Sequence, residues 1–193
     1  MITKIGITGG IGCGKSVVSK ILRIEGIDVY DSDTHAKRLL SNDIEIRNNV
    51  IALIGKDAYT GAEPNKKFIA QKIFNDKSLL TRMNAIIHPR VWNDFIKWSN
   101  RQEKNGKNFC GFESAIMHQS GLSSKMDKIW IITAPLDIRI KRACQRDNTQ
   151  IDKIKERIAN QQEISDDKAE IIVNDEEHSL MEQVQQILTS YHI

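Results

Sequence analysis

Residues Gly9-Gly10-Ile11-Gly12-Cys13-Gly14-Lys15-Ser16 constrain this chain more than any other stretch. They fit the pattern G-x-x-x-x-G-K-[ST] at every fixed position, and their neighbours decide what that match is worth. Ile5 and Ile7 read as a buried first strand, while Val17, Val18, Ile21 and Leu22 recur at helical spacing. A glycine-rich loop between strand and helix lets backbone N–H groups close around phosphate oxygens at the helix N-terminus. Lys15 is then expected to reach the β- and γ-phosphates, and the Ser16 hydroxyl to hold Mg²⁺. The alternative is a glycine-rich turn without a ligand. Four glycines, a Lys-Ser pair and both flanking elements in register weigh against it. The loop predicts binding of a nucleoside triphosphate.

The rest of the composition narrows the class. At 193 residues the chain can bury one good core and carry a small appended region. Its net charge of +3 is too slight to argue for a nucleic-acid partner. No apolar run approaches the about 18 residues that a membrane span requires, so no membrane partner is expected. The opening leads straight into a strand and the phosphate loop, which predicts no secretory leader. Cys13, Cys110 and Cys144 are far apart and show no metal-ligand spacing, so reduced thiols and a cytoplasmic location are expected. Cys13, near a helix start, could be a reactive thiol or a small residue filling the loop.

Apolar runs alternate with amphipathic stretches, the pattern of a parallel sheet covered by helices. Strands are expected near 2–8, 26–30, 108–113, 128–133 and 170–174. Helices are expected from the phosphate loop to about residue 25, and over 33–41, 43–54, 66–75, 78–104, 137–146, 150–163 and 179–190. About seventy residues between the second and third strands lack a strand pattern, too many for a connecting loop. The expected organisation is a nucleotide-binding core of 1–32 with 105–136 and 164–193, a helical substrate domain of 33–104, and a lid of 137–163. Gly55 to Pro64 reads as a loop, and His88-Pro89 as a point that bends or starts an element. Trp92 and Trp98 read as partial core residues of the long helix. His35, His178 and His192 stand in no constellation.

Two further groups bear chemistry. Asp31-Ser32-Asp33 ends the second strand, where carboxylates point into the ligand crevice of an open α/β fold. One of them could accept the proton of an attacking hydroxyl, or Asp33 could simply cap the helix that follows. Both roles fit together if Asp31 or Ser32 caps and Asp33 faces substrate. Arg139, Arg142 and Arg146 stand at i, i+3 and i+7 on one helical face. Guanidinium forks match phosphate geometry, although a solvated basic face gives the same spacing.

In order, these pieces resemble the dephospho-CoA kinase family over nearly the whole chain. Thr8-Gly9-Gly10-Ile11-Gly12 is similar to that family's distinctive loop opening, and Asp31-Ser32-Asp33 to its Asp-x-Asp. Ile73-Phe74-Asn75-Asp76 and Ile86-Ile87-His88-Pro89-Arg90-Val91 resemble its CoA-binding helical region. Arg142 and Arg146 sit where its lid carries arginines, and Arg157-Ile158-Ala159-Asn160-Gln161 is similar to its R-I-x-x-Q segment. Ala169-Glu170-Ile171-Ile172-Val173-Asn174 resembles its final strand. The resemblance implies a P-loop NTPase-type three-layer α/β fold with a five-stranded parallel sheet, a helical substrate-binding insertion and a small helical lid. It implies transfer of the ATP γ-phosphoryl group to the ribose 3′-hydroxyl of dephospho-CoA, giving coenzyme A and ADP. The implied catalytic set is Lys15, Asp33, Arg142 and Arg146. The implied ATP contacts are Gly10, Gly12, Cys13, Gly14, Lys15, Ser16, Val17 and Arg146, with Mg²⁺ on Ser16. Thr8, Asp33, Lys66 and His88 form the implied substrate set. The partners implied are small molecules, with the chain a monomer or a weak homo-oligomer.

The match has departures. Val17 replaces a hydroxyl residue common after the Lys-Ser pair, and Lys66 stands where an Arg is usual. His118-Gln119 replaces the family's Phe-Glu, losing a carboxylate and an aromatic. The segment Asp166-Asp167-Lys168 is shorter than usual. Two rival readings remain: another small-molecule or nucleotide kinase of this architecture, and a nucleotide-binding regulator with weakened catalysis. A GTPase is disfavoured, since Thr133-Ala134-Pro135-Leu136 replaces any Asn-Lys-x-Asp segment after the fourth strand.

Overall fold

A computed structural model describes residues 1–74, 76–161 and 164–191. The chain forms two compact units, Met1–Tyr30 with Arg101–Ile193, and Asp31–Asn100.

The first unit is built on a five-stranded parallel sheet in the order β2-β5-β1-β6-β7. Its strands are β1 (Thr3–Gly9), β2 (Val29–Asp31), β5 (Phe109–Glu113), β6 (Lys128–Thr133) and β7 (Glu170–Val173); β2 starts three residues later than the expected 26–30, and the other four lie where expected. β1 pairs in parallel with β5 through Ile7 and Glu113, and with β6 through Ile7 and Trp130. The chain fills one side of β1 and then crosses to the other. That leaves a crevice at the carboxyl end of β1, the position that binds ligands in open α/β sheets.

Side-chain alternation explains the layers. Ile5 and Ile7 on one face are fully buried against Val18 and Leu22 of α1 (Lys15–Ile24) and Val184 and Leu188 of α8 (Leu180–Ser190). Gly6 on the other face lies against Met117, where a Cβ would collide with the thioether. In β6, Ile129, Trp130, Ile131 and Ile132 are all buried, as expected of a parallel strand covered on both faces. Trp130 keeps its polar edge satisfied by donating to the Tyr191 hydroxyl at 3.1 Å. α8 begins with a capping arrangement in which Ser179 accepts from the Glu182 N–H at 3.3 Å. The unit also holds α6 (Leu136–Asp147) and α7 (Ile151–Ala159). α7 is shorter than the expected 150–163. The chain leaves the helix at Asn160, and the last two expected positions lie outside the described residues.

The second unit is helical: α2 (Ser32–Asn42), α3 (Ile44–Ile54), α4 (Lys66–Phe74) and most of α5 (Lys77–Lys104). Asp31 caps α2, accepting from the Asp33 and Thr34 N–H groups at 3.0 and 3.2 Å. Asp43 caps α3, and its second oxygen takes two bonds from Arg90 at 3.0 and 2.8 Å. Asn75, expected to end α4, and His192 lie outside the described residues.

Two sequence expectations fail here. Gly55–Pro64 is not merely a loop: after a 3-10 turn, β3 (Tyr59–Thr60) pairs antiparallel with β4 (Glu63–Pro64). Gly61, at φ 60°, makes the tight turn between them possible. His88-Pro89 does not start an element, because α5 runs through Pro89 as the helix expected over 78–104 does. Met83, Val91, Phe95 and Ser99 are buried along one face of α5, so packing on both sides of the proline outweighs its lost N–H. Trp92 and Trp98 flank the buried Phe95 ring at 5.4 and 6.0 Å, which makes them partial core as expected.

Candidate active site

The phosphate loop joins the end of β1 to the start of α1. Gly14 occupies the N-cap at φ 95°, a conformation open to glycine, and no side-chain cap covers the first turn of α1. Those first-turn N–H groups, with the positive end of the helix dipole, are the anion-binding element. Gly12, at φ 77°, lies against the Arg139 carbonyl, where a Cβ would collide with backbone. Both positions therefore require glycine for conformation and for space.

The side chains of the loop are arranged unequally. The Lys15 ammonium folds back onto the Gly9 and Gly10 carbonyls at 2.9 and 3.2 Å, beside the first turn of α1. Ser16 and Val17 are exposed, Val17 at 44%. Cys13 is buried at 1% exposure among the core residues and serves as a filler of the loop. Thr8 is fully buried in β1, and its hydroxyl has no partner among the described residues, so it offers substrate no surface here.

The three arginines of α6 take three different assignments. Arg139 donates through Nε to the Ile11 carbonyl at 2.9 Å, directly on the loop. Arg142 donates to the Asn174 carbonyl at 3.0 Å and to its Oδ1 at 3.2 Å, and pairs with Glu176 at 3.2 Å. Arg146 is 61% exposed and pairs with Asp147 at 2.7 Å. Hydrogen bonds from Arg146 and then Arg157 hold the Asp147 carboxyl well below the usual carboxylate range.

Sequence reasoning missed several groups that shape this loop. Asn174, buried at the end of β7, donates from Nδ2 to the Cys13 carbonyl at 2.8 Å. Its Oδ1 is taken by Arg142, which fixes the amide with its N–H toward the loop. Gln161 accepts from the Ile11 N–H at 2.8 Å. Glu113, at the carboxyl end of β5, accepts from the buried Ser19 hydroxyl at 2.7 Å, one turn beyond Ser16 on α1. An acidic residue ending a strand was the available signal for Glu113. For Asn174 and Gln161 the signal was their place in segments carrying the family likeness. No local pattern assigns them a role.

The donor chemistry fits Mg²⁺. The Ser16 hydroxyl is exposed, and the Glu113 carboxylate bonds Ser19, the residue one turn on along α1; both are hard oxygen donors. No cluster of three or more metal-ligating side chains occurs among the described residues.

Asp33, Lys66 and His88 belong to the second unit. With the cap provided by Asp31, Asp33 stands exposed in the first turn of α2. Lys66 is exposed at the start of α4. His88 is half-buried in α5, and burial pushes its imidazole below the ordinary pKa. The departure at His118 leaves both ring nitrogens buried without a hydrogen bond among the described residues, with Asp166 3.7 Å from Nε2.

Known proteins place this geometry. A family model described as dephospho-CoA kinase matches residues 3–180. A dephospho-CoA kinase of Porphyromonas gingivalis is 41% identical over 192 residues, covering 97% of this chain and 93% of that protein. One from Bacteroides fragilis is 38% identical, covering 97% and 92%. The fold is shared with a Thermus thermophilus protein of known crystal structure (TM-score 0.80, 23% identity, 99% and 96% coverage). It is also shared with the dephospho-CoA kinase of Campylobacter jejuni (TM-score 0.67, 20% identity, 99% and 98% coverage). The chain belongs to the dephospho-CoA kinase family.

Proposed function

We propose that this chain performs the reaction of its family, the ATP-dependent phosphorylation of dephospho-CoA, with the ribose 3′-hydroxyl as acceptor. One observation carries the reading: an intact phosphate loop opening onto the bare N-terminus of α1, in a chain whose family match spans residues 3–180.

The acceptor oxygen forms a bond to the γ-phosphorus as the bond from that phosphorus to the β–γ bridging oxygen breaks. ADP leaves with the electron pair, and the acceptor proton passes to a base. Asp33 is the proposed base, since Asp31 holds the helix cap and leaves the Asp33 carboxylate to solvent. Lys15 exchanges its two loop carbonyls for phosphate oxygens and counters charge that grows in transfer. Gly10, Gly12, Cys13 and Gly14 supply backbone to the triphosphate, and Val17 borders it. Ser16 would hold Mg²⁺, which would supply charge neutralisation at the β- and γ-phosphates. Arg142 and Arg146 add guanidinium forks by giving up Asn174 and Asp147 as partners. Lys66 and His88 are proposed to contact the acceptor; Thr8, fully buried, is left out of that set. The free thiols of Cys13, Cys110 and Cys144 suit a reducing cytoplasm, where we place the reaction.

An ADP-release assay with dephospho-CoA, AMP, adenosine and shikimate tests this. Turnover with dephospho-CoA far above the other acceptors is expected. Preference for AMP or shikimate would identify another kinase. Nucleotide binding without turnover on any acceptor would identify a regulator.

A further inference from the structure

Both polar backbone atoms of one loop residue are held by side chains from the lid segment. The Ile11 N–H donates to Gln161 Oε1 at 2.8 Å, and the Ile11 carbonyl accepts from Arg139 Nε at 2.9 Å. Arg139 and Gln161 also meet each other, NH2 to Oε1 at 3.4 Å. The two come from separate elements, Arg139 from α6 and Gln161 from the turn after α7. The packing is tight as well: a Cβ on Gly10 would strike the Arg139 guanidinium and, at 3.3 Å, the Gln161 oxygen. Both residues line a cavity of about 320 Å³, together with Gly9, Gly10, Cys13 and Thr133. The clamp is thus part of the wall beside the loop.

We propose that Arg139 and Gln161 are a paired positioning clamp that fixes the peptide planes on both sides of Ile11, so that α6 and α7 set the shape of the phosphate loop. The proposal rests on the nucleotide-binding half of the function above. With Ile11 pinned at both ends, the loop spends none of its binding energy on ordering those two planes when a nucleotide arrives. Linkage makes the relation reciprocal: a nucleotide that prefers the clamped loop must in turn hold α7 in place. Gln161 thereby couples lid order to nucleotide occupancy without touching the reacting atoms.

ADP titration by calorimetry, with no acceptor present, tests the clamp on Gln161→Leu, Gln161→Glu, Arg139→Lys and the Gln161→Leu/Arg139→Lys double variant. Gln161→Leu should weaken ADP about fivefold, the weight of one neutral hydrogen bond. Arg139→Lys should weaken it about tenfold, because lysine keeps the charge but loses the fork. Gln161→Glu keeps an acceptor oxygen beside Arg139 and should stay within about twofold of wild type. The double variant should match Arg139→Lys within about twofold, since the pair acts as one unit. KM for ATP should rise in step while kcat holds. Hydrogen exchange over residues 151–161 should slow on adding ADP in wild type and not in Gln161→Leu.

Unchanged ADP affinity in both single variants, with or without a fall in melting temperature, would overturn the clamp. So would effects that multiply in the double variant, or a fall in kcat at constant KM. The calorimetric and exchange readouts need no acceptor, so a wrong acceptor assignment leaves them intact. A failed clamp likewise leaves the acceptor panel intact.

Discussion

The phosphate loop and the helical unit of residues 31–100 are built on opposite principles. In the loop most of the proposed phosphate contacts are backbone, beside the Lys15 and Ser16 side chains, and side chains from distant elements hold that backbone: Asn174 on Cys13, and Gln161 and Arg139 on Ile11. In the helical unit the backbone builds helices, their caps and the short β3–β4 hairpin, and the expected functional groups are exposed or half-buried side chains. There the strong ties, Arg90 to Asp43 and Arg38 to Asp94, brace one helix against another. A site made of backbone needs its surroundings to be correct to a fraction of an ångström. A site made of exposed side chains needs only that they be present on a firm scaffold.

That contrast can be broken most sharply at its two poles. Lys15→Ala should lower turnover on the order of a hundredfold or more with the fold intact, because the ammonium serves phosphate charge and no core. Near-normal turnover would remove the loop from the mechanism. Asp33→Asn should lower kcat by about a hundredfold while ATP affinity stays within about twofold, since it removes a base and spares the cradle. If only the melting temperature moved, Asp33 would be structural and Asp31 the next candidate.

The arginines proposed for a lid extend the comparison at smaller scale. Arg142 is 27% exposed and bonds both oxygens of Asn174. Arg142→Lys should therefore cost about tenfold in kcat/KM for ATP through the lost fork. Arg146 is 61% exposed and tied only to its neighbour Asp147 among the described residues. Arg146→Lys should cost about threefold at most, with stability unchanged within about 0.5 kcal/mol. Wild-type kcat/KM in both variants would end the lid assignment.

The smallest effect is a pH dependence in the helical unit. Burial depresses the His88 pKa below its ordinary 6.5, so the folded state favours the neutral ring. The stability it contributes is complete above the unfolded pKa and is lost as pH falls through it toward the folded value. His88→Gln should flatten the fall in urea midpoint between about pH 7.5 and about pH 5. His35, whose pKa is also lowered chiefly by burial, keeps part of that slope. An unchanged slope in His88→Gln would contradict the assignment.

What the sequence made legible follows the same division. The loop motif and the five strands could be read because glycine geometry and apolar runs are local signals. The β3–β4 hairpin inside 55–64 could not, because two-residue strands are too short to show an alternation. Spacing put Arg139, Arg142 and Arg146 on one face, yet each found a different partner: Ile11, Asn174 and Asp147. Helical spacing shows which side chains share a face, and the surrounding elements decide what each will hold. Gln161 and Asn174 carry no local chemical signature, since an amide becomes a loop support only when a carbonyl or N–H is brought to it.

The central claim is that ATP held by the loop gives up its γ-phosphoryl group to the 3′-hydroxyl of dephospho-CoA. ³¹P NMR of a reaction holding only the purified protein, ATP, Mg²⁺ and dephospho-CoA reads this directly. A new 3′-phosphomonoester should grow in step with ADP, at equal amounts. ADP with inorganic phosphate and no new ester, or a phosphoryl group on any other oxygen of the acceptor, would contradict that claim.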